Sequence, residues 1–138
     1  VALSFQDERI RVLSKSNGGV SQARNFGIDN AIGEFIFLLD ADDLIKNDCL
    51  ETLINLNSSY PTLNVFCANF DMTSADLMTS QSVCSLTLDG LLSAPDKLIW
   101  QKKLFLRTGN VLFRKECIRS VGYFNESIHF FEDIFARE

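Results

Sequence analysis

Polar and apolar positions alternate over Arg9 to Leu13 (R-I-R-V-L), and the β-branched Ile10 and Val12 add to the case for a short strand. Ser16-Asn17-Gly18-Gly19 then reads as a loop, with two glycines able to take backbone angles that other residues avoid. From Ser21 the period becomes helical: Val20, Ala23, Gly27 and Ala31 recur at spacings of three and four. Their small side chains predict close packing on a sheet, with Gly33 as the stop signal. Phe35 to Leu39 (F-I-F-L-L) is a continuous apolar run, as expected of a strand covered on both faces.

After Asp40-Ala41-Asp42-Asp43, Asn47 or Asp48 is placed to cap a helix from about Cys49 to Leu56. Leu50, Leu53, Ile54 and Leu56 form its expected buried stripe. Val65 to Phe70 predicts another buried strand, while Asp71 to Leu92 is mixed and polar, irregular or weakly strand-like. Lys97 to Leu106 is ambiguous. Asn110 to Phe113 predicts a strand, and Lys115 to Val121 a short helix ended by Gly122. Phe130-Phe131-Glu132-Asp133 leads into a further helix. The order β-α-β-α-β predicts an α/β fold with a mostly parallel central sheet and flanking helices.

Composition narrows the function classes. The 138 residues fit a single domain or part of one, with 46% apolar residues, 22% charged residues and twelve phenylalanines for a core. A net charge of −5 argues against a nucleic-acid partner, which would need a basic face. The longest apolar run, Phe35 to Leu39, is too short to span a bilayer. Membrane association is therefore expected only through parts outside this sequence. No signal peptide is visible, and a start at Val1 rather than Met leaves room for an upstream segment. Cys49, Cys67, Cys84 and Cys117 lie far apart, and His129 is the single histidine, so a zinc site is not expected. They read as buried free thiols in a reducing compartment. Asn57-Ser58-Ser59 and Asn125-Glu126-Ser127 match the glycosylation pattern, which is too short to carry weight.

The strongest chemical signal is Asp40-Ala41-Asp42-Asp43 directly after a buried strand. In open α/β sheets, ligands bind outside the carboxyl ends of the strands. Crowded carboxylates repel one another, and a divalent cation removes that penalty. Oxygen-only ligands point to Mg²⁺ or Mn²⁺, which complete their coordination with water and substrate phosphates. A helix-capping acidic loop is the plainer alternative, for which one aspartate would suffice. A calcium EF-hand loop fails, because Leu44 and Ile45 stand where an oxygen ligand and the required glycine belong.

Three runs now stand in register: Asn17-Gly18-Gly19-Val20-Ser21-Gln22-Ala23-Arg24-Asn25-Phe26-Gly27, then Ala31-Ile32-Gly33-Glu34-Phe35-Ile36, then Asp40-Ala41-Asp42-Asp43. Together they resemble the core of the family 2 glycosyltransferases, with its N-x-G-x-S-x-A-R-N-x-G run, its A-x-G-E-[YF]-I and its D-x-D signature. Two further blocks extend the match: Gly109 to Val121, then Gly122-Tyr123-Phe124-Asn125-Glu126 followed by Glu132-Asp133, where the family commonly shows G-G-F-D-E and then E-D. Tyr123 and Asn125 depart from that pattern.

The resemblance implies a GT-A type fold and a metal-dependent, inverting transfer from a nucleotide-sugar donor. Asp42, with Asp40 beside it, would hold the Mn²⁺ or Mg²⁺ that bridges the donor diphosphate, and Asp40 would approach the donor ribose. Asp43 is placed equally well to cap or to support these. Gly18, Gly19, Arg24 and Asn25 would lie on the donor side, where a guanidinium suits a diphosphate or pyrimidine contact. An ion pair of Arg24 with the nearby aspartates is its plainer role. Glu132 and Asp133 match the acceptor-side pair, with Asp133 the better candidate for general base, although adjacent acids also suit a helix's first turn. Phe130 and Phe131 fit an acceptor pocket or the core equally, and His129 reads as a surface residue.

A uridine diphosphate sugar and a saccharide or lipid-linked acceptor would be the partners, in surface polysaccharide or glycolipid synthesis. The setting would be cytoplasmic, at or near the inner face of the membrane. Family members begin with a P-x-[YF]-N strand and a second strand bearing an acidic pair for the nucleobase. Neither occurs here, so the chain reads as a partial catalytic domain, incomplete at both ends. Its donor and metal part would cover about residues 9–70 and its acceptor part about residues 90–138. Such a chain alone is expected to associate and to transfer no sugar. A nucleotidyltransferase making the nucleotide sugar, and a non-catalytic nucleotide-sugar binding module, are the competing readings.

Overall fold

The strand-forming runs meet in one short three-stranded sheet. The structure is a computed structural model that describes residues 6–74, 76, 79–82 and 107–128. In chain order its elements are α1 (Gly19–Asn30), β1 (Phe35–Phe37), α2 (Cys49–Ser59), β2 (Val65–Cys67), β3 (Asp71–Thr73) and β4 (Ser80–Ser82). A 3₁₀ turn (Thr108–Asn110), β5 (Val111–Arg114) and α3 (Lys115–Ser120) complete them. The chain divides into two units, one of Val1–Ile32 with Ser120–Glu138 and the other of Gly33–Arg119.

In the second unit the sheet order is β1-β5-β2. Phe35, Ile36 and Phe37 face Arg114, Phe113 and Leu112, while Val65, Phe66 and Cys67 face Phe113, Leu112 and Val111. Both pairings are antiparallel, as is the β3–β4 hairpin. The expected mostly parallel sheet is thus corrected for the described strands. The β-α-β order does leave β1 and β2 running in the same sense, with α2 as the connection. They do not pair with each other, because β5 enters between them from the opposite direction and takes the ladder bonds of both.

As the middle strand, β5 buries two successive residues, Leu112 and Phe113, one towards each face of the sheet. Leu53 of α2 packs with Phe66 and Leu112, and Phe35, Phe37, Cys49, Leu56, Leu63 and Ala68 close around them. The buried stripe of α2 is therefore Cys49, Leu53 and Leu56, narrower than predicted, and Leu50 and Ile54 lie exposed. Phe35 and Phe66 meet edge to face at 6.2 Å, the arrangement their ring quadrupoles favour. Arg114 closes the sheet end: it ion-pairs with Glu34, covers the Phe35 ring at 4.7 Å and donates to Asn57 Oδ1 at 2.9 Å. Cys49, Cys67 and Cys117 are half-buried thiols outside any disulfide, and burial, with the Asp48 charge adding, pushes the Cys49 thiol up. Cys84 lies outside the described residues.

Two sequence readings change in the first unit. Residues 9–13 form no strand; they are exposed, and no described ladder includes them. Alternation reports only a fit to a half-buried pleat, and without a ladder partner it makes no strand. On α1 the buried residues are Ser21, Arg24 and Ile28, whereas Val20, Ala23 and Gly27 are exposed. The packed face is the one that receives Phe124, and the small-residue stripe lies off it. The helix also ends before Gly33, because Ala31 is already extended at φ −68° and ψ 139°. Lys97 to Leu106, most of Asp71 to Leu92, and Phe130 to Asp133 lie outside the described residues. Among the described residues no helix is long and apolar enough to cross a membrane.

Leu53 is 2% exposed and anchors the helix to the sheet. Leu53→Ala is expected to destabilise the fold by about 2–5 kcal/mol, read from the shift in urea midpoint; an unchanged midpoint would contradict this account of the core.

Candidate functional site

The acidic loop grows directly out of β1. Three residues beyond Phe37 the chain turns back on itself, and the Asp43 backbone N–H donates to the Asp40 carbonyl at 3.1 Å. That bond closes a four-residue turn with Ala41 and Asp42 at its corner. Asp40, Asp42 and Asp43 are all exposed. Beyond the loop, Asp48 occupies the N-cap of α2 without a side-chain capping bond, and Lys46 Nζ reaches Asp71 Oδ2 at 3.5 Å.

The far wall of the loop comes from the segment before β5. A Cβ placed on Gly109 would lie 2.8 Å from Asp43 Oδ2, so the residue must be glycine for that carboxylate to stay where it is. The neighbouring Asn110 is buried and ties this segment down. Its Nδ2 donates to the Ala68 carbonyl at 2.9 Å, its carbonyl accepts the Ala68 N–H at 2.9 Å, and its Oδ1 accepts the Arg107 N–H at 2.8 Å. Arg107 also lies over the Phe70 ring at 5.5 Å.

Carboxylate oxygens in an open, water-facing loop are the hard donors that Mg²⁺ and Mn²⁺ take, with phosphate and water filling the remaining positions. The residues fit such an ion in chemistry. They are not gathered into a ready cage: among the described residues no group of three His, Cys, Asp or Glu side chains is set to hold a metal.

The first unit holds Gly18, Gly19, Arg24 and Asn25. Gly19 begins α1 at φ +85°, a left-handed angle that favours glycine, and its N–H donates to Asn17 Oδ1 at 3.1 Å. A Cβ on Gly18 would overlap the Gln22 amide, which in turn accepts from Lys15. Arg24 is buried rather than presented to solvent, and its guanidinium lies 5.6 Å from the centre of the Phe124 ring. Asn25 spends its carboxamide on the same turn. Nδ2 donates to the Phe124 carbonyl at 3.0 Å and to Glu126 Oε1 at 2.9 Å, and Oδ1 accepts the Phe124 N–H at 3.0 Å.

That turn is conformationally unusual. Gly122 has φ +87° and Tyr123 φ +66°, two left-handed residues in succession. The glycine common at the second position in the family pattern has its physical reason here, because a side chain at such an angle costs about 1–2 kcal/mol. Tyr123 is held nonetheless, its hydroxyl donating to Asp29 Oδ1 at 2.6 Å, one helical turn beyond Asn25. Sequence reasoning placed Gly109 at the start of a family-like block without giving it a role, and it missed the grip of Arg24 and Asn25 on residues 122–126. The T-G-N triplet before a predicted strand was the available signal for Gly109. Glu132, Asp133, His129, Phe130 and Phe131 lie outside the described residues.

The sequence model of Glycosyl transferase family 2 matches residues 1–122, and the chain belongs to that family. Membership implies an α/β fold of the GT-A type. The uncharacterised glycosyltransferase EpsJ of Bacillus subtilis (strain 168) is 29% identical over 134 residues, 93% of this chain and 38% of its own length. Glycosyltransferase GlyG of Streptococcus pneumoniae serotype 4 (strain ATCC BAA-334 / TIGR4) is 49% identical over 53 residues, 38% of this chain and 18% of its own. The minor teichoic acid biosynthesis protein GgaB of Bacillus subtilis (strain 168) is 49% identical over 41 residues, 30% of this chain and 5% of its own. The chain thus spans well under half the length of these relatives.

Gly109→Ala is expected to swing the Asp43 carboxylate aside while lowering stability by less than about 1 kcal/mol, since the end of a flexible side chain yields readily. Thermal denaturation checks the stability, and a structure of the variant, with the Asp43 carboxylate displaced, checks the loop. A large loss of stability would show that the segment packs on something firmer than a carboxylate.

Proposed function

We propose that the chain carries the donor and metal loop of an inverting glycosyltransferase. The reaction moves a sugar from a nucleotide-diphosphate donor, uridine diphosphate by preference, to a hydroxyl acceptor. The observation that carries this reading is the exposed Asp40–Asp43 turn at the end of a buried strand, in a chain matched by the family over most of its length.

Asp42, at the corner of the turn, and Asp40 would hold Mn²⁺ or Mg²⁺. When bound, the cation supplies positive charge to the leaving diphosphate. The segment from Gly18 to Asn25 forms the donor side, its glycines allowing a close approach of backbone to phosphate. Asp133, with Glu132 beside it, takes the proton from the acceptor hydroxyl. The freed oxygen attacks the anomeric carbon from the face opposite the diphosphate, forming the new glycosidic bond as the bond to the diphosphate oxygen breaks. Configuration inverts in one displacement. Family membership and the part in teichoic acid biosynthesis that GgaB's name gives it support a saccharide or lipid-linked acceptor of the cell surface.

In the full-length protein, Asp42→Asn is expected to abolish Mn²⁺- or Mg²⁺-dependent transfer with the fold intact by circular dichroism. Transfer at the wild-type rate after exhaustive chelation would remove the metal from the mechanism. Asp133→Asn should lower turnover by roughly 10²-fold or more and leave donor affinity by calorimetry nearly unchanged, whereas Asp42→Asn weakens donor binding as well. Equal losses of donor affinity in the two variants would take Asp133 off the acceptor side.

A further inference from the structure

We infer that Asn25, although part of the donor-side run, is a positioning residue: it fixes the turn from which the chain proceeds to Glu132 and Asp133. The inference rests on the reading of Asp133 as the base. Its grounds lie in the hydrogen bonds of the carboxamide. Both N–H groups of Nδ2 are committed, to the Phe124 carbonyl at 3.0 Å and to Glu126 Oε1 at 2.9 Å, and Oδ1 takes the Phe124 N–H at 3.0 Å. A primary amide has two donors, so no donor is left over for a donor substrate. The partners lie 99 and 101 residues away along the chain.

The same turn is gripped on either side. Arg24 lies over the ring of Phe124, which is itself buried, and Asp29 holds the Tyr123 hydroxyl at 2.6 Å. Two successive left-handed residues, Gly122 and Tyr123, form a conformation that persists only where its surroundings over-determine it. Three residues along α1 provide that determination. Only an amide satisfies the central one: a carboxylate at position 25 would still accept the Phe124 N–H but would set its second oxygen against the Phe124 carbonyl and the Glu126 carboxylate. Misplacement of a catalytic group by an ångström is enough to cost about 10²-fold in rate, so a loosened turn would be read in turnover.

The test uses the full-length protein, a UDP-sugar donor and Mn²⁺. Asn25→Asp is expected to lower kcat by roughly tenfold or more while the Kd for UDP, measured by calorimetry, stays within about twofold. Adding Glu126→Gln gives the new carboxylate an amide donor and removes the charge repulsion, so the double variant should recover most of the lost kcat. Glu126→Ala removes one contact from an exposed residue and reads the same effect if Asn25→Asp does not fold: kcat should fall by roughly two- to fivefold with UDP affinity unchanged. Loss of UDP affinity with kcat retained would place Asn25 on the donor and overturn the inference. Equal kcat in the single and double Asn25→Asp variants would overturn it too, as would wild-type kcat in Glu126→Ala. Full turnover in Asp133→Asn sinks the base and this inference with it. Loss in Asp133→Asn beside full turnover in Asn25→Asp sinks this inference alone.

Discussion

The acidic loop depends on a strand that lies far from it in sequence. β5 is the described ladder partner of both β1 and β2, and its two buried residues touch both faces of the sheet. Without it, β1 is three apolar residues with no hydrogen-bonding neighbour among the described strands. The chain before β5 is fixed by the same arrangement. Asn110 hooks onto Ala68 at the end of β2, and that bond sets Gly109 against Asp43. A sequence separation of about seventy residues must close before the loop has a wall, and closure of that length costs chain entropy before any contact repays it.

The first unit repeats the logic with different chemistry. Here a helix, rather than a strand, grips a remote turn, and it does so with a buried guanidinium over a ring, a three-way amide and a tyrosine hydroxyl. The A-R-N run and the G-x-F-x-E run are therefore two halves of one contact. Arg24 and Asn25 look like ligands for a substrate because they are polar and sit in a signature, yet their described partners are the chain itself. A polar residue in a functional run is not thereby a residue that touches the substrate.

Local pattern located most elements and misjudged their neighbours. Phe35–Phe37, Cys49–Ser59, Val65–Cys67, Val111–Arg114 and Lys115–Ser120 all fall within or beside the predicted segments, because each carries a strong local period or apolar run. The antiparallel pairing was not legible, since the β-α-β order speaks only of β1 and β2 and says nothing of a third strand between them. The face of α1 was misread for a related reason: small residues at helical spacing are consistent with packing but do not say against what, and the true partner, Phe124, lies about a hundred residues on. The place of the acidic loop, directly after β1, was legible because its three aspartates lie within four residues. The contact of Gly109 with it was not, because the carboxylate it makes room for is sixty-six residues away.

The two regions also differ in the contacts described for them, and the difference fits the role proposed for each. The Asp40–Asp43 turn carries the backbone bond from Asp43 to Asp40 and exposed carboxylates, with no assembled cage among the described residues. A site for Mg²⁺ or Mn²⁺ can remain open in this way, because the ion keeps water and takes phosphate oxygens from the substrate to complete its shell. Rigid carboxylates fixed close together would instead repel one another until the ion arrived. A turn that sets the direction of the chain has no incoming ligand to complete it. Residues 122–126 accordingly hold two left-handed angles against Asn25, Arg24 and Asp29, and the strain at Tyr123 is offset locally by its hydroxyl bond. Precision is supplied by the protein where no substrate can supply it.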